Sequence, residues 1–262
     1  MPEDTAVLWT LKDLQGIEGR TLDSQRITVL EGLLKANYGS KVSIHAMERL
    51  RSKKNIVIHL ILEQNLNKID VVAKLFIEKS FEIETEVLSF GAKESLLVPT
   101  MIAAEDGVLL MNFIDGLPLV DVLNKEFDPL LIEKLAKWYY TFHHKTGRIK
   151  GDPRLRNFMV SKDQIYGFDF EEYRRDHWIV DIGGISASML DTRPVFDIRK
   201  VNLAWHLLET YLAFSNEERD KATDIHFSEV IADTLEQTAK WRDDAEILAH
   251  SRQVRQHGLP IE

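Results

Sequence analysis

Lys150-Gly151-Asp152-Pro153-Arg154-Leu155-Arg156-Asn157-Phe158-Met159-Val160 and, one short turn later, Gly167-Phe168-Asp169-Phe170-Glu171 are the stretches from which the rest of this sequence can be read. Between them the apolar runs 158–160 and 165–170 flank the polar segment Ser161-Lys162-Asp163-Gln164, the signature of a small hairpin. Asp152 stands on a loop that leaves a helix, with Asn157 five residues on, and the hairpin returns Asp169 toward the same place. Phosphoryl transfer asks a protein for a carboxylate that orients and deprotonates a hydroxyl, and for oxygen ligands that hold magnesium. The spacing alone is weak evidence, since Asp followed five residues later by Asn arises by chance on the order of 0.5 times in such a chain. Taken singly, each residue has a plainer reading as a capping or turn residue, and for Asp152 alone that reading carries most of the weight. The context carries the reading: Gly151 ahead, an apolar strand behind, and Asp169-Phe170-Glu171 at hairpin distance.

Working outward, Asp128-Pro129 supplies an N-cap and a proline at the first helical position, opening an amphipathic helix through Phe142. Upstream of Asp115-Gly116 the texture is that of strands: 42–50, 55–62 and 69–77, the last two separated by the polar turn 64–68. A helix follows over 81–91 with Ile83, Val87 and Leu88 on one face, then strands 96–103 and 108–114 joined by Glu105-Asp106-Gly107. Nearer the N-terminus, Asp23 or Ser24 caps a helix carrying Ile27, Leu30, Leu33 and Leu34, ended by Gly39. Beyond Asp181 the pattern is helical, with Ser215-Asn216-Glu217-Glu218 as a capping box. The expected architecture is α+β and two-lobed. An antiparallel-sheet lobe for nucleotide covers residues 1–115, and a mostly helical catalytic and acceptor lobe covers 116–262.

The 262 residues carry a net charge of −9, which argues against direct nucleic-acid binding or an anionic membrane surface, both of which need clustered Lys and Arg. Absence of cysteine removes disulfides, thiolate zinc sites and cysteine nucleophiles, and fits a reducing compartment. The N-terminal residues have no apolar signal core and no stretch has the length of a membrane helix, so the expected location is cytoplasmic.

The segment around Asp152 resembles the catalytic and metal loops of the aminoglycoside/choline-kinase-like phosphotransferases, members of the protein-kinase-like superfamily, whose pattern is His-Gly-Asp-x-x-x-x-Asn followed by Asp-Phe-Glu. With Lys145-Thr146-Gly147-Arg148-Ile149 before it, it is also similar to the small atypical kinase of the tRNA threonylcarbamoylation machinery. The resemblance covers roughly residues 42–181. It implies ATP and Mg2+ as cofactors, Asp152 as base, and Asn157 and Asp169 as metal ligands. Lys74, ending Val71-Val72-Ala73-Lys74, resembles the strand lysine that touches the α- and β-phosphates, with Lys79 as competitor and Glu84 as its helical partner. Asn112, Phe113 and Ile114 resemble the hinge that meets adenine; a plain core strand entering a turn is the equal alternative. Asp181 resembles the buried aspartate that braces the catalytic loop through backbone N–H groups.

Two positions depart from that pattern. Lys150 replaces the histidine before Gly-Asp, and the turn Arg51-Ser52-Lys53-Lys54-Asn55 lacks the glycines that let backbone N–H groups approach phosphates. Ser52, with Lys53 or Lys54, is the candidate for that role. Arg154 occupies the place of a lysine that steadies the γ-phosphate. The implied activity is ATP-dependent phosphorylation of a hydroxyl on a small molecule, because only residues 170–180 separate Asp169 from Asp181, too short for a peptide platform. Glu171, Glu172, Asp176 and Asp191 point to a neutral or cationic acceptor, and Trp178, Asp191, Arg193, Asp197, Trp205 and His206 are candidates to recognise it. The alternatives are a nucleotide-binding pseudokinase and an atypical protein kinase or ATPase working with a protein partner in a larger assembly.

Overall fold

A computed structural model describes residues 3–12, 14, 15, 21–52, 54–65, 67–77 and 81–260; Lys53 and Lys79 lie outside the described residues. The chain divides into two compact units, 1–114 and 115–262.

In the first unit, α1 (Gln25–Tyr38) precedes β1 (Ser43–Leu50), β2 (Ile56–Gln64) and β3 (Asn67–Leu75), and α2 (Phe81–Glu94) precedes β4 (Met101–Glu105) and β5 (Val108–Asn112). The strands form one antiparallel sheet in the order β1-β2-β3-β5-β4. Ile27, Leu30, Leu33 and Leu34 of α1 pack in one core cluster with Ile56, Ile58, Leu60 and Leu62 of β2 and with Val71, Ala73 and Leu75 of β3. Since side chains alternate along a strand, Val72 and Lys74 face the other side of the sheet. They too are buried, at 9% and 5% exposure. That two-sided burial is why β3 ends in an apolar run rather than an alternating one. The fourth strand starts at Met101, later than the expected 96, because Gly91 and Leu96 are tied by a backbone bond that turns the chain out of α2.

The second unit holds β6 (Leu117–Pro118), α3 (Leu119–Glu126), α4 (Pro129–Thr146), β7 (Phe158–Ser161), β8 (Gln164–Gly167) and the helices α5 (Ile179–Leu190), α6 (Ile198–Ser215), α7 (Lys221–Arg242) and α8 (Ala245–His257). β6, β7 and β8 form a small antiparallel sheet. Asp128 caps α4 by accepting from the Leu130 N–H, and Gly147 ends it in the left-handed region, φ 64°. The capping box expected at Ser215 is not one. Asn216 takes φ 57° and closes α6, and the next helix is capped by Asp220, which accepts from the Thr223 N–H. Asn tolerates the left-handed conformation, so the residue read as a start signal works here as a stop. Helix α5 is apolar on nearly all sides and buried except at the half-buried Val180 and Ser188; it forms the floor on which the segment 150–157 lies. No described helix is long and apolar enough to cross a membrane.

Candidate active site

The segment after α4 is pinned from below by one carboxylate. Asp181, fully buried in the first turn of α5, accepts from the Lys150 N–H at 2.6 Å and the Gly151 N–H at 2.9 Å. Its Oδ2 also lies 3.0 Å from His143 Nε2, and His143 Nδ1 lies 2.9 Å from the Tyr211 hydroxyl. A neutral imidazole satisfies both contacts by donating from Nε2 to the carboxylate and accepting the Tyr211 proton at Nδ1. Burial, with Glu217, Asp181 and Tyr140 nearby, raises the Tyr211 phenol and keeps it protonated for that role. Gly151 adopts φ +85°, and a Cβ there would sit 2.0 Å from the Glu172 carbonyl oxygen, so only glycine fits. Leu155 N–H is accepted by Ser188 Oγ of α5 at 3.2 Å, and Pro153 rests on Gly184, where a Cβ would approach its ring to 2.3 Å.

On that base the side chains of the loop converge. Asn157 Nδ2 donates to Asp152 Oδ2 at 2.8 Å, and Arg154 Nε lies 2.8 Å from Asp152 Oδ1. Because the amide nitrogen of Asn157 is spent on Asp152, its Oδ1 is the atom left to face a cation. Asp152 is partly exposed, 27% for its side chain, whereas Asn157 is buried. The Arg154 guanidinium lies over the Trp241 ring at 4.7 Å, and Trp241 itself is 58% exposed at the end of α7. After β8, Asp169 takes φ +63°. A carboxylate and an amide oxygen, with no sulfur, form a donor set suited to a hard divalent cation such as magnesium.

Lys150 lies at the centre, fully buried. Its Nζ donates to the Asp152 carbonyl at 3.0 Å and to the Asp169 carbonyl at 2.8 Å, within 6 Å of the Phe158 and Phe170 rings (5.8 and 5.4 Å). The departure at this position therefore keeps a donor inside the loop; it does not leave a gap.

In the first unit, Lys74 Nζ donates to Glu84 Oε2 at 2.6 Å, with both side chains nearly inaccessible. Helix α2 accordingly buries Glu84 with Val87 and Leu88, while Ile83, expected on that face, is 37% exposed. The ion pair rotates the helix away from the purely apolar registration. Ser52 Oγ accepts from the Asn55 N–H at 3.3 Å, which ties the turn between β1 and β2. The hinge candidates are largely committed to their own unit. Asn112 N–H goes to the Thr100 carbonyl and its Oδ1 accepts from the Thr100 N–H. Phe113 N–H reaches the Asp70 carbonyl at 3.4 Å and its ring stacks on His59 at 4.0 Å. Among the described residues, Ile114 alone of the three enters no such backbone bond.

The residues expected to recognise an acceptor separate by environment. Asp197 caps α6, and Trp205 is a core residue whose indole donates to the Pro260 carbonyl. His206 lies 3.3 Å from Glu133, and Trp178 stacks on Tyr211. Asp191 is buried and paired with Arg242 at 3.1 Å, and burial raises its carboxyl against the pull of that arginine. It thus adds little free negative charge, which weakens the case for a cationic acceptor. His143, Tyr211 and Trp241 carried no sequence signal, because they lie on helices remote in sequence from the loop they support.

This sheet-plus-helices architecture is the protein-kinase-like α+β fold, of the kind found in aminoglycoside and choline/ethanolamine kinases. An amicoumacin kinase, hAmiN, in complex with AMP-PNP, Ca2+ and Ami, matches with a TM-score of 0.61 at 12% identity over 91% of this chain and 97% of that one. A choline/ethanolamine kinase family protein from Mesorhizobium loti gives 0.59 at 12% identity, covering 87% and 94%. The gentamicin complex of APH(2")-IIa gives 0.57 at 13%, covering 90% and 97%. No family model and no curated protein matches the sequence.

Proposed function

We propose that this protein is an ATP-dependent phosphotransferase that passes the γ-phosphate to a hydroxyl of a small molecule. The observation that carries the reading is the Asp152–Asn157 pair on a loop locked by Asp181. That arrangement holds a partly exposed carboxylate in one orientation next to an amide oxygen suited to metal. Asp152 orients the acceptor hydroxyl and takes its proton, and Arg154 steadies the transferred phosphoryl group. Asn157 and Asp169 are the proposed holders of Mg2+, whose positive charge would offset the charge developing on the phosphate oxygens. In the first unit, Lys74, oriented by Glu84, is the proposed contact for the α- and β-phosphates, Ser52 for the phosphate turn, and Asn112, Phe113 and Ile114 for the adenine side. Of those three, the hydrogen bonding favours Ile114.

Two observations support a small acceptor. The solved structures with this fold include kinases whose ligands or names specify aminoglycoside, choline or ethanolamine. The connection over residues 170–178 is also short, and α5 begins at Ile179. The competing reading of nucleotide binding without turnover loses one support, since Lys150 fills the place of the missing histidine with a donor. We place the protein in the cytoplasm, without direct contacts to nucleic acid or membrane.

The test combines a thermal-shift titration with Mg2+-ATP and transfer from radiolabelled ATP to sugars, amino alcohols, nucleosides and casein-like proteins. A ligand that binds only the folded state raises stability by RT ln(1 + [L]/Kd). A magnesium-dependent shift in the wild type that vanishes in Asp169→Ala, with label on a small molecule, is the expected result. Label on protein alone would reverse the acceptor class, and no nucleotide shift at all would reject the function.

A further inference from the structure

We propose that Lys150 is a positioning residue that couples the two halves of the site. It holds the loop of the base and the loop of the metal-binding aspartate in one register through a single ammonium group. The inference rests on the phosphotransferase reading and adds a residue to it. Three observations carry it. The side chain is fully buried, a costly place for an ammonium unless its N–H groups are met. Among the groups that meet it are the main-chain carbonyls of Asp152 and Asp169, residues distant in sequence whose carboxylates have different proposed tasks. The backbone N–H of the same lysine is accepted by Asp181, so the residue that anchors the loop from below also ties it sideways to the hairpin.

The bond to the Asp169 carbonyl has a specific consequence. Asp169 is in the left-handed region at φ +63°, a conformation unfavourable for a non-glycine residue, which its surroundings must enforce. A donor on its carbonyl is such an enforcement. Without it that restraint on the Asp169 peptide is lost, and the direction of its carboxylate is held less firmly relative to the loop of Asp152. The metal site and the base would then lose alignment together. An imidazole in the same position reaches less far than a lysine ammonium and would serve one carbonyl rather than two. The ammonium is therefore the group that binds both loops at once.

The experiment compares wild type with Lys150→Met, which keeps length and burial but no donor, and Lys150→His. In Lys150→Met, activity measured as ATP turnover should fall about 10–100-fold, as for lost partners of metal ligands. The Mg2+ concentration for half-maximal stabilisation by ATP should rise about tenfold while the melting temperature without ligand moves by only a few degrees. Lys150→His should recover part of the magnesium response. Turnover and magnesium requirement both within threefold of wild type in Lys150→Met would overturn the proposal. If Lys150→Met does not fold, Lys150→His decides: a folded variant whose turnover and magnesium requirement both stay within threefold of wild type overturns it. Failure of the phosphotransferase reading is recognised separately, by a wild type that shows no Mg2+-ATP shift. Amide hydrogen exchange then takes over as readout. Exchange over residues 152–157 and 168–173 should quicken together in Lys150→Met and stay unchanged in α6 and α7; quickening of only one loop refutes the coupling.

Discussion

Removing the Asp181 carboxylate should destabilise the helical unit more than any other single truncation near the loop. Three donors converge on it: the Lys150 N–H at 2.6 Å, the Gly151 N–H at 2.9 Å and His143 Nε2 at 3.0 Å. All are bonds to a fully buried group. A buried donor left without a partner costs about 1–3 kcal/mol, so Asp181→Ala is expected to cost about 3–6 kcal/mol, less than the full sum because water entering the vacated space meets some of the donors. Asp181→Asn tests orientation rather than volume. It keeps one oxygen but turns an NH2 toward a second donor, and should cost about 2–4 kcal/mol. Urea denaturation followed by tryptophan fluorescence reports on the right unit, since Trp138, Trp178, Trp205 and Trp241 lie within it and only Trp9 lies outside. Loss of stability within about 1 kcal/mol of wild type for Asp181→Ala would refute the reasoning. So would an Asp181→Asn variant as stable as wild type, because the carboxylate would then not be the group organising the loop.

Asp152→Asn should leave nucleotide affinity nearly unchanged and lower turnover about 10²–10⁴-fold, the range for a lost general base; equal turnover in the two proteins would remove Asp152 from that role. Gly151→Ala combines a positive φ with a Cβ placed 2.0 Å from a carbonyl oxygen, and should cost about 2–4 kcal/mol in the same urea assay; a neutral result would show that the loop accommodates a side chain. Lys200 is buried, donating to the Thr192 carbonyl and hydroxyl, and burial lowers its ammonium to about 8 from the usual 10.5. Between those values the unfolded chain binds more protons than the folded one. Stability of wild type relative to Lys200→Met should therefore rise by about 2–3 kcal/mol from pH 8 to pH 10.5, and a flat difference would deny the shift.

Local chemistry in the sequence was enough to single out the candidate loop 150–157, the hairpin after it, the capped helix before it and the alternation of strands with one helix. Each of these depends on neighbours within a few residues: Asp128-Pro129 at a helix start, Asp106-Gly107 in a turn, Gly151 just ahead of Asp152. The pairing of Lys74 with a glutamate was also legible, because a lysine in an apolar strand needs a partner. Other features were not. Ile83 reads as a core residue until the ion pair between Lys74 and Glu84 sets the rotation of α2, and Ser215-Asn216 reads as a helix start until Asn216 takes φ 57°. Lys150 reads as a defect in a pattern. Only the packed structure shows that its ammonium reaches two carbonyls, since one of them belongs to Asp169, 19 residues away along the chain. Asp191 reads as an available acidic group, and Arg242 on a distant helix cancels it. Sequence thus determines what each segment prefers by itself. Long-range contacts among buried groups decide which preference survives, because desolvation charges every polar atom for the partner it finds or lacks.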